Sequence, residues 1–354
     1  MTATPRELVY QCLEFRNPPR APRQLWLLPW AEKHHRAELE KIRSDFPPDI
    51  IHIGGRLRTP PITKGNPYEI GEYVDDWGCV FTNIQEGVVG EVREPLIKDW
   101  KTGQRVRHQA VSEYAITDAP KAHIPREWLT FDADDVNRQC AETDRFTLAG
   151  VCPRPFEQMQ FICKTEEFYI DLADPPGEMI TFMKQMHDFF CELLEMWART
   201  DVDGLNFMDD WGSQRSLLIN PTMWREIFKP MYRDYIQIAH AAGKKMFMHS
   251  DGHILSIIPD LIELKLDALN SQIFCMGLEN LEPFAGKIAW WGEIDRQHLL
   301  PEASPAEIDA AVREVHRRLW RNGGCIAQCE FGAGARPENV RQTFASWDAV
   351  TGKP

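Results

Sequence analysis

Acidic, amide, imidazole and thiol side chains recur where short apolar runs end in the second half of the chain. These groups are Asp209, Asp210 and Trp211; His249 and Asp251; Asn270 and Gln272; Glu293; and Cys329. The carboxyl ends of parallel strands meet at one face of a βα barrel, and the βα loops there carry the active site. We therefore expect these side chains to share one site.

Three of these residues offer donors of different kinds to a metal ion. His249, Glu293 and Cys329 supply nitrogen, oxygen and sulfur, a set that suits a catalytic Zn²⁺ with three protein ligands and one open position. Asp251 is expected either to join the ligands or to orient His249 by accepting its second N–H. The alternative is that His249 is a hydrogen-bonded strand-end residue and Cys329 a buried apolar one. Their joint placement at strand ends favours the metal site.

The adjacent carboxylates Asp209 and Asp210 lie in a tight acidic turn. Repulsion between crowded carboxylates raises the pKa of one of them, which suits it to general acid catalysis. The alternative is that one caps the following helix and the other is solvated. We expect Trp211, Asn270 and Gln272 to line the same cavity and bind a small oxygenated substrate, because amides both donate and accept hydrogen bonds.

The elements that must position these groups alternate from about residue 145 onward. Continuous apolar runs alternate with runs of helical period, separated by short polar connections. This pattern is typical of a parallel sheet and favours an α/β protein built as a (β/α)₈ TIM barrel. No GxGxxG or GxxxxGK[ST] loop follows a predicted strand, which disfavours a doubly wound nucleotide-binding sheet.

We expect residues 1–354 to form one domain. Residues 1–48, with several prolines around a charged stretch, are predicted to be a helical and loop extension that caps the barrel. The barrel is predicted over 49–348. Within it, an excursion at about 60–130 is rich in proline, glycine and aromatic residues and is expected to form loops and a hairpin that includes YVDDWGCVF.

The composition excludes several classes of protein. The chain has 40 Lys and Arg against 53 Asp and Glu, a net charge of −13, whereas nucleic-acid binders need a basic surface. No apolar run is long enough for a membrane span, and the first residues lack the pattern of a signal peptide. Nine cysteines without CxxC spacing predict free thiols in a reducing compartment. We predict a cytoplasmic protein that acts on a small molecule.

Four segments resemble the uroporphyrinogen decarboxylase superfamily, and within it the cobalamin-dependent methyltransferase branch. They are VDGLNFMDDWGSQRSLLINPTMWREIFKPMYRDYI, KKMFMHSDGHILSIIPDLIEL, KIAWWGEIDRQHLLP and GGCIAQCEFGAGARPENV. The resemblance implies a (β/α)₈ barrel with an N-terminal extension. The decarboxylases of the superfamily carry an RQAGRY-type motif that holds porphyrin carboxylates, whereas this chain has PRQLWLLPWAEKHH in that region.

The resemblance also implies a zinc site. Corrinoid:thiol methyltransferases of this superfamily bind zinc through an H-x-C-G motif and a cysteine of the last strand. The matching positions here are His249 and Cys329, with Asp251 in place of the middle cysteine and Glu293 in the G-x-ID motif. Oxygen donors in place of thiolates favour polarising an oxygenated substrate over holding a thiol.

We therefore predict a zinc-dependent methyltransferase that uses a small oxygenated methyl donor, with a corrinoid (cobalamin) carried by a partner protein. Two alternatives remain open. One is a metal-free decarboxylase or lyase on the same barrel, whose rim acids and amides bind the substrate. The other is a non-catalytic barrel that docks a cobalamin-binding protein.

Overall fold

A computed structural model describes residues 3–100, 104–105 and 123–352. They form two compact units. The barrel unit comprises the described residues of Met1–Gly54, Ala133–Cys152 and Trp197–Pro354. The insert unit comprises those of Gly55–Asp132 and Pro153–Met196. The predicted excursion at 60–130 falls in the insert unit, where its residues 101–103 and 106–122 lie outside the described part; the prediction did not include residues 153–196.

In chain order, the strands of the described residues are β1 (Arg23–Leu27), β2 (Ile50–Ile53), β3 (Gly71–Val74), β4 (Val80–Asn83), β5 (Glu91–Val92), β6 (Ile97–Asp99), β7 (Gln104–Arg105), β8 (Phe146–Ala149), β9 (Gly204–Met208), β10 (Lys245–Ser250), β11 (Ala268–Ser271), β12 (Ala289–Trp291) and β13 (Cys325–Phe331). Eight of them pair in parallel in the order β1-β13-β12-β11-β10-β9-β8-β2. The sheet is a nearly closed (β/α)₈ barrel, which confirms the predicted fold class.

The helices of the described residues are α1 (Pro5–Leu13), α2 (Pro29–His34), α3 (Arg36–Asp45), α4 (Ala133–Ala141), α5 (Pro155–Cys163), α6 (Thr165–Ala173), α7 (Gly177–Ala198), α8 (Pro221–Ala241), α9 (Ile258–Glu263), α10 (Ile273–Met276), α11 (Leu278–Leu281), α12 (Leu299–Glu302), α13 (Pro305–Leu319) and α14 (Pro337–Thr351). Local signals explain where several of them begin. Asn220 caps α8, and Ser304 with Glu307 forms a capping box at α13, each just ahead of a proline in the first turn.

Helix α1 closes the amino end of the barrel. Its apolar face, with Val9 and Leu13, belongs to the same buried cluster as Phe146 and Phe247 of the strands. The backbone N–H of Gly324, just before β13, donates to the carbonyl of Cys12 at 2.9 Å. The open mouth is therefore at the carboxyl ends of the strands. The predicted extension over residues 1–48 needs one correction, because Arg23–Leu27 within it is a barrel strand paired with β13.

The insert unit contains the predicted hairpin. Strands β3, β4 and β5 form an antiparallel sheet, and β6 pairs with β7. The turn between β3 and β4 carries Trp77, which is buried against Phe189 and Phe190 of α7 at ring distances of 6.1 and 5.8 Å. All nine cysteines are free, as predicted. Among the described residues, no helix is both long and apolar enough to cross a membrane.

Candidate functional site

Three predicted site residues come together at the mouth. Asp210 lies two residues beyond β9, His249 lies near the end of β10, and Asp251 directly follows β10. The Nε2 atom of His249 is 3.5 Å from Oδ1 of Asp210 and 3.5 Å from Oδ1 of Asp251. One ligand atom from each residue lies within 4.8 Å of the other two. We call Asp210, His249 and Asp251 the donor group.

Asn270 orients the imidazole of His249. The amide NH₂ of Asn270 donates to the carbonyl of Trp291, so its Oδ1 atom faces Nδ1 of His249 at 2.6 Å. An amide oxygen only accepts, and Nδ1 must therefore carry the proton. The Nε2 atom is left facing the two carboxylates. We predicted Asn270 as a substrate-binding residue, and its contact in the structure is with the ring of His249.

Asp251 keeps one oxygen for the donor group. Its Oδ2 atom pairs with the guanidinium of Arg296, whereas its Oδ1 atom is buried without a hydrogen-bond partner among the described residues. A buried carboxylate oxygen without a partner is costly, and a cation between the three side chains would satisfy it. Burial raises the pKa of Asp210, and the neighbouring His249 partly offsets this rise.

Arg296, which the sequence analysis did not single out, joins three carboxylates. Besides Asp251, its Nη1 atom lies 3.3 Å from Oε2 of Glu293 and 3.9 Å from Oε2 of Glu330. Glu293 is 1% exposed, and this burial raises its pKa to about 8. Burial also raises the pKa of Glu330. Glu293, predicted as a metal ligand, contacts Arg296 and is not one of the three residues of the donor group.

The structure does not bring Cys329 to the donor group. Gln328, its neighbour on β13, lies close to Gly292, which directly follows β12. Glu330 lies near Arg296 on the mouth side. Side chains alternate between the two faces of a strand, so Cys329 faces the helix layer, where it contacts Thr343 of α14. Burial raises the pKa of its thiol. The prediction differs because it placed the side chain of Cys329 on the face of β13 that carries Gln328 and Glu330.

Asp209 and Trp211 anchor the turn after β9 to helix α8. The hydroxyl of Tyr232 on α8 donates to Oδ2 of Asp209 at 2.5 Å and accepts from Nε1 of Trp211 at 2.7 Å. Both Asp209 and Trp211 are 0% exposed, so their side chains do not line the mouth as predicted. This anchoring fixes the backbone that presents Asp210.

Two glycines let the loops after β9 and β10 touch. The N–H of Gly212 donates to the carbonyl of Asp251 at 3.0 Å. Gly252 has a φ of +77°, and a Cβ atom there would lie 2.0 Å from the carbonyl oxygen of Gly212. Gln272 completes this contact, since its Oε1 atom accepts from the N–H of Gly252 at 3.1 Å. The loops that carry Asp210 and Asp251 are thus held together by their backbones.

A cavity of about 220 Å³ is connected to the donor group through Arg296, which lines the cavity and pairs with Asp251. Gln272, Glu293 and Arg296 line it, together with the apolar side chain of Phe274. Arg296 therefore contacts both the cavity and Asp251. Of the predicted substrate-binding residues, the structure places Gln272 in this cavity.

Comparison with known proteins identifies the family. Residues 102–349 match the profile of the family described as Uroporphyrinogen decarboxylase (URO-D). The chain belongs to the uroporphyrinogen decarboxylase family. This membership confirms the superfamily resemblance drawn from the sequence segments. A search of curated protein sequences found no match.

Two solved structures are similar to this uroporphyrinogen decarboxylase family member. A methyltransferase from Methanosarcina mazei is similar with a TM-score of 0.62 and 13% identity, over 98% of this chain and 99% of that one. The B12-independent methionine synthase from Shewanella sp. W3-18-1 has a TM-score of 0.42 and 12% identity, over 62% of this chain and 65% of that one. The first of these likenesses shows that the fold is shared along nearly the whole length of both chains.

Proposed function

We propose that this family member is a metal-dependent methyltransferase, with Asp210, His249 and Asp251 as the ligands of a divalent cation, Zn²⁺ first among them. The observation that carries the proposal is the convergence of one imidazole nitrogen and two carboxylate oxygens at the barrel mouth. The unpartnered Oδ1 atom of Asp251 supports it, because a metal would supply the missing partner. One nitrogen and two oxygens fit zinc and also harder divalent ions.

We propose a small oxygenated compound as the methyl donor. The cavity lined by Arg296 holds about 220 Å³, below the range usual for drug-sized ligands. When bound, the metal supplies a Lewis acid for the donor oxygen. Glu293 lines the cavity, and with a pKa of about 8 it carries a proton at neutral pH. We assign Glu293 to protonate the departing oxygen, since Asp209 is buried against Tyr232 and Asp210 belongs to the donor group.

A corrinoid protein is proposed as the carrier of the methyl group. The sequence resembles the cobalamin-dependent branch of the superfamily, and the fold is similar to that of the methyltransferase from Methanosarcina mazei over nearly all of both chains. The barrel mouth is open at the strand ends where the donor group lies. A carrier domain would reach the methyl group from that side.

Decarboxylation is the second candidate, because it is the activity in the family's description. The charges at the mouth argue against a polycarboxylate such as a porphyrinogen. The carboxylates of Asp251 and Glu330, together with the protonated Glu293, already share the guanidinium of Arg296. Further carboxylates on a substrate would meet repulsion there.

Metal analysis of the full-length protein tests the proposal. We expect about one zinc per chain after dialysis against zinc, and a loss of at least tenfold in affinity for His249→Ala and for Asp251→Asn, since each removes one of three ligands. Cys329→Ala is the matched control and should bind as the unaltered protein does. Absence of zinc binding would contradict the metal-dependent function and favour the metal-free decarboxylase or the docking protein.

The methyl transfer itself has a spectroscopic readout. Mixing the zinc-loaded protein with a methyl donor and a reduced corrinoid protein should convert the corrinoid spectrum to that of the methylated form. Glu293→Gln should retain zinc and slow this conversion by about 10²–10⁴-fold, the usual contribution of general acid catalysis. An unchanged rate in Glu293→Gln would remove the acid role from this residue.

A further inference from the structure

The barrel wall has an opening between its first and last strands in the sheet order. Strands β1 and β2 end the order, and no ladder pairs them among the described residues. A cavity of about 460 Å³ occupies this place, with residues of both strands around it. We call it the seam cavity. Its size is within the range typical of small-molecule sites.

His52 faces this cavity from β2. Ile50, two residues earlier on the same strand, belongs to the buried cluster inside the barrel, so the alternation of side chains turns His52 to the interior as well. The side chain is exposed to the cavity, and burial among the neighbouring atoms lowers its pKa, which favours the neutral imidazole. One ring nitrogen donates to the backbone carbonyl of Ala149, so in the neutral ring the other nitrogen is left as a hydrogen-bond acceptor.

The rest of the wall combines flat and aliphatic surface with few polar groups. Trp26 and Phe46 contribute aromatic rings, and Leu28 and Ile51 contribute aliphatic side chains. Aromatic and aliphatic surface of this kind favours a ligand with an apolar ring over an extended polar ligand.

The charged groups at the cavity already have partners. Glu330 lies 3.9 Å from Arg296, and Arg43 lies 3.5 Å from Glu32. A charged ligand would have to compete with these pairs after losing its own hydration, which is costly. An uncharged ligand avoids that cost.

Trp26 connects the seam cavity to the donor group. Its ring lies 5.2 Å from the ring of His249 and 5.1 Å from that of Trp291. Gln24 holds both indoles, since its Oε1 atom accepts from Nε1 of Trp291 at 2.5 Å and from Nε1 of Trp26 at 3.3 Å. A ligand in the seam cavity would therefore be one side chain away from His249.

We propose that the seam cavity is a binding site for a small uncharged compound that consists of a ring with one hydroxyl group. The ring packs on Trp26, and His52 pairs with the polar group. That this ring is the body of the methyl donor rests on the proposed function; the binding itself does not.

Titration calorimetry of full-length, metal-free protein tests the site, with phenol and toluene as probes. We expect saturable phenol binding with a Kd of about 1 mM, as fits a ligand of so few atoms. His52→Phe keeps an aromatic ring but removes the hydrogen bond, so the affinity for phenol should fall about 5–10-fold and that for toluene should stay unchanged. Benzoate, a charged ring, should bind at least tenfold more weakly than phenol.

A cavity-filling variant locates the binding. Leu28→Phe, two positions beyond Trp26 and lining the same cavity, should abolish binding of both probes, whereas Ile180→Phe, at an exposed position of α7, is the matched control and should bind as the unaltered protein does. If Leu28→Phe fails to fold, Ile51→Phe narrows the same cavity from β2. Absence of saturable phenol binding, undiminished binding in the filled variant, or equal binding of benzoate would each overturn the proposal. None of these outcomes depends on zinc, so they are distinct from failure of the proposed function.

Discussion

Arg296 contacts both the candidate metal ligands and the substrate cavity. It occupies Oδ2 of Asp251 and leaves Oδ1 to face His249, so it decides which oxygen of the carboxylate is free. Partners of this kind orient ligand side chains and tune how tightly a metal binds. Arg296 is itself fixed by Glu293, which is buried.

We predict that Arg296→Met weakens zinc binding by about 10–100-fold, because Asp251 loses the partner that orients it. Arg296→Lys retains the charge without the forked geometry, so its zinc affinity should lie between that of Arg296→Met and that of the unaltered protein. Competition with a chromophoric chelator measures both affinities without any substrate. Equal affinity in Arg296→Met and the unaltered protein would show that Asp251 is oriented without the guanidinium.

Residue type and strand-end position predicted that Asp210, His249 and Asp251 share one site, although Asp210 was expected there as an acid and Glu293 and Cys329 as ligands. They could not settle Cys329, because a shift of one position in a buried strand changes the face on which a side chain lies. Arg296 lies in a loop beyond β12, where no periodicity predicts the direction of a side chain. His52 was missed because the run PDIIHIGG shows a buried strand without showing which face is inside.

At the scale of elements, the turn between β3 and β4 is built around a half-buried acid, Asp75. Oδ1 of Asp75 accepts from the backbone N–H groups of Trp77 at 3.0 Å and Cys79 at 2.7 Å. Burial nevertheless raises the pKa of Asp75 to about 7, because loss of solvation outweighs these two hydrogen bonds. The carboxylate form is therefore a cost to the folded insert unit.

The pH dependence of stability follows from this shift. The pKa of Asp75 is higher in the folded state, about 7, than its ordinary value of 3.8, so the folded state favours the protonated form. The stability contributed by the protonated form is fully present below about pH 4 and is lost as the pH rises through 7. We predict that Asp75→Asn, which keeps an acceptor and cannot ionise, gains stability over the unaltered protein as the pH rises, by up to roughly 4 kcal/mol above pH 7.

Urea unfolding at pH 5 and pH 8 measures this gain. Asp174→Asn removes an exposed acid of the same unit and should change the free energy of unfolding by less than about 0.5 kcal/mol at both values. A gain in Asp75→Asn of the same size at pH 5 and pH 8 would mean that ionisation of Asp75 does not destabilise the turn.

Most elements of the barrel's second half could be predicted, because β9 to β13 and the helices between them have clear periods and capping residues. Strand β1 could not, because its run RQLWLL lies among prolines and its pairing partner β13 is about 300 residues away in the chain. Helices α5 and α6 were also missed. These helices begin at Pro155 and Thr165, but each has only nine residues, and polar residues do not form a clear face on either of them.

At the scale of the whole molecule, the donor group joins two separate βα loops of the barrel unit. A cation held by Asp210, His249 and Asp251 binds the folded barrel and has no such site in the unfolded chain. Binding therefore adds to the stability of the barrel unit by mass action.

We predict that zinc at a hundred times its Kd stabilises the barrel unit by about 2.7 kcal/mol, which for a unit of this size raises the midpoint of thermal unfolding by roughly 5–11 °C. Scanning calorimetry with zinc and with a chelator measures the difference. His249→Ala should show no shift at the same zinc concentration. A shift of equal size in that variant would place the stabilising metal elsewhere.

The pairing of β1 with β13 also sets an order of events on the ribosome. The residues of β1 leave the exit tunnel early, but Arg23 pairs with Ala327 and α1 contacts Gly324, so neither finds these partners until the last strand has been made. The insert unit, in contrast, has all of its residues by Met196. A nascent chain halted between these two points would display an unpaired β1 edge, which is the kind of surface that other chains join and that chaperones must cover.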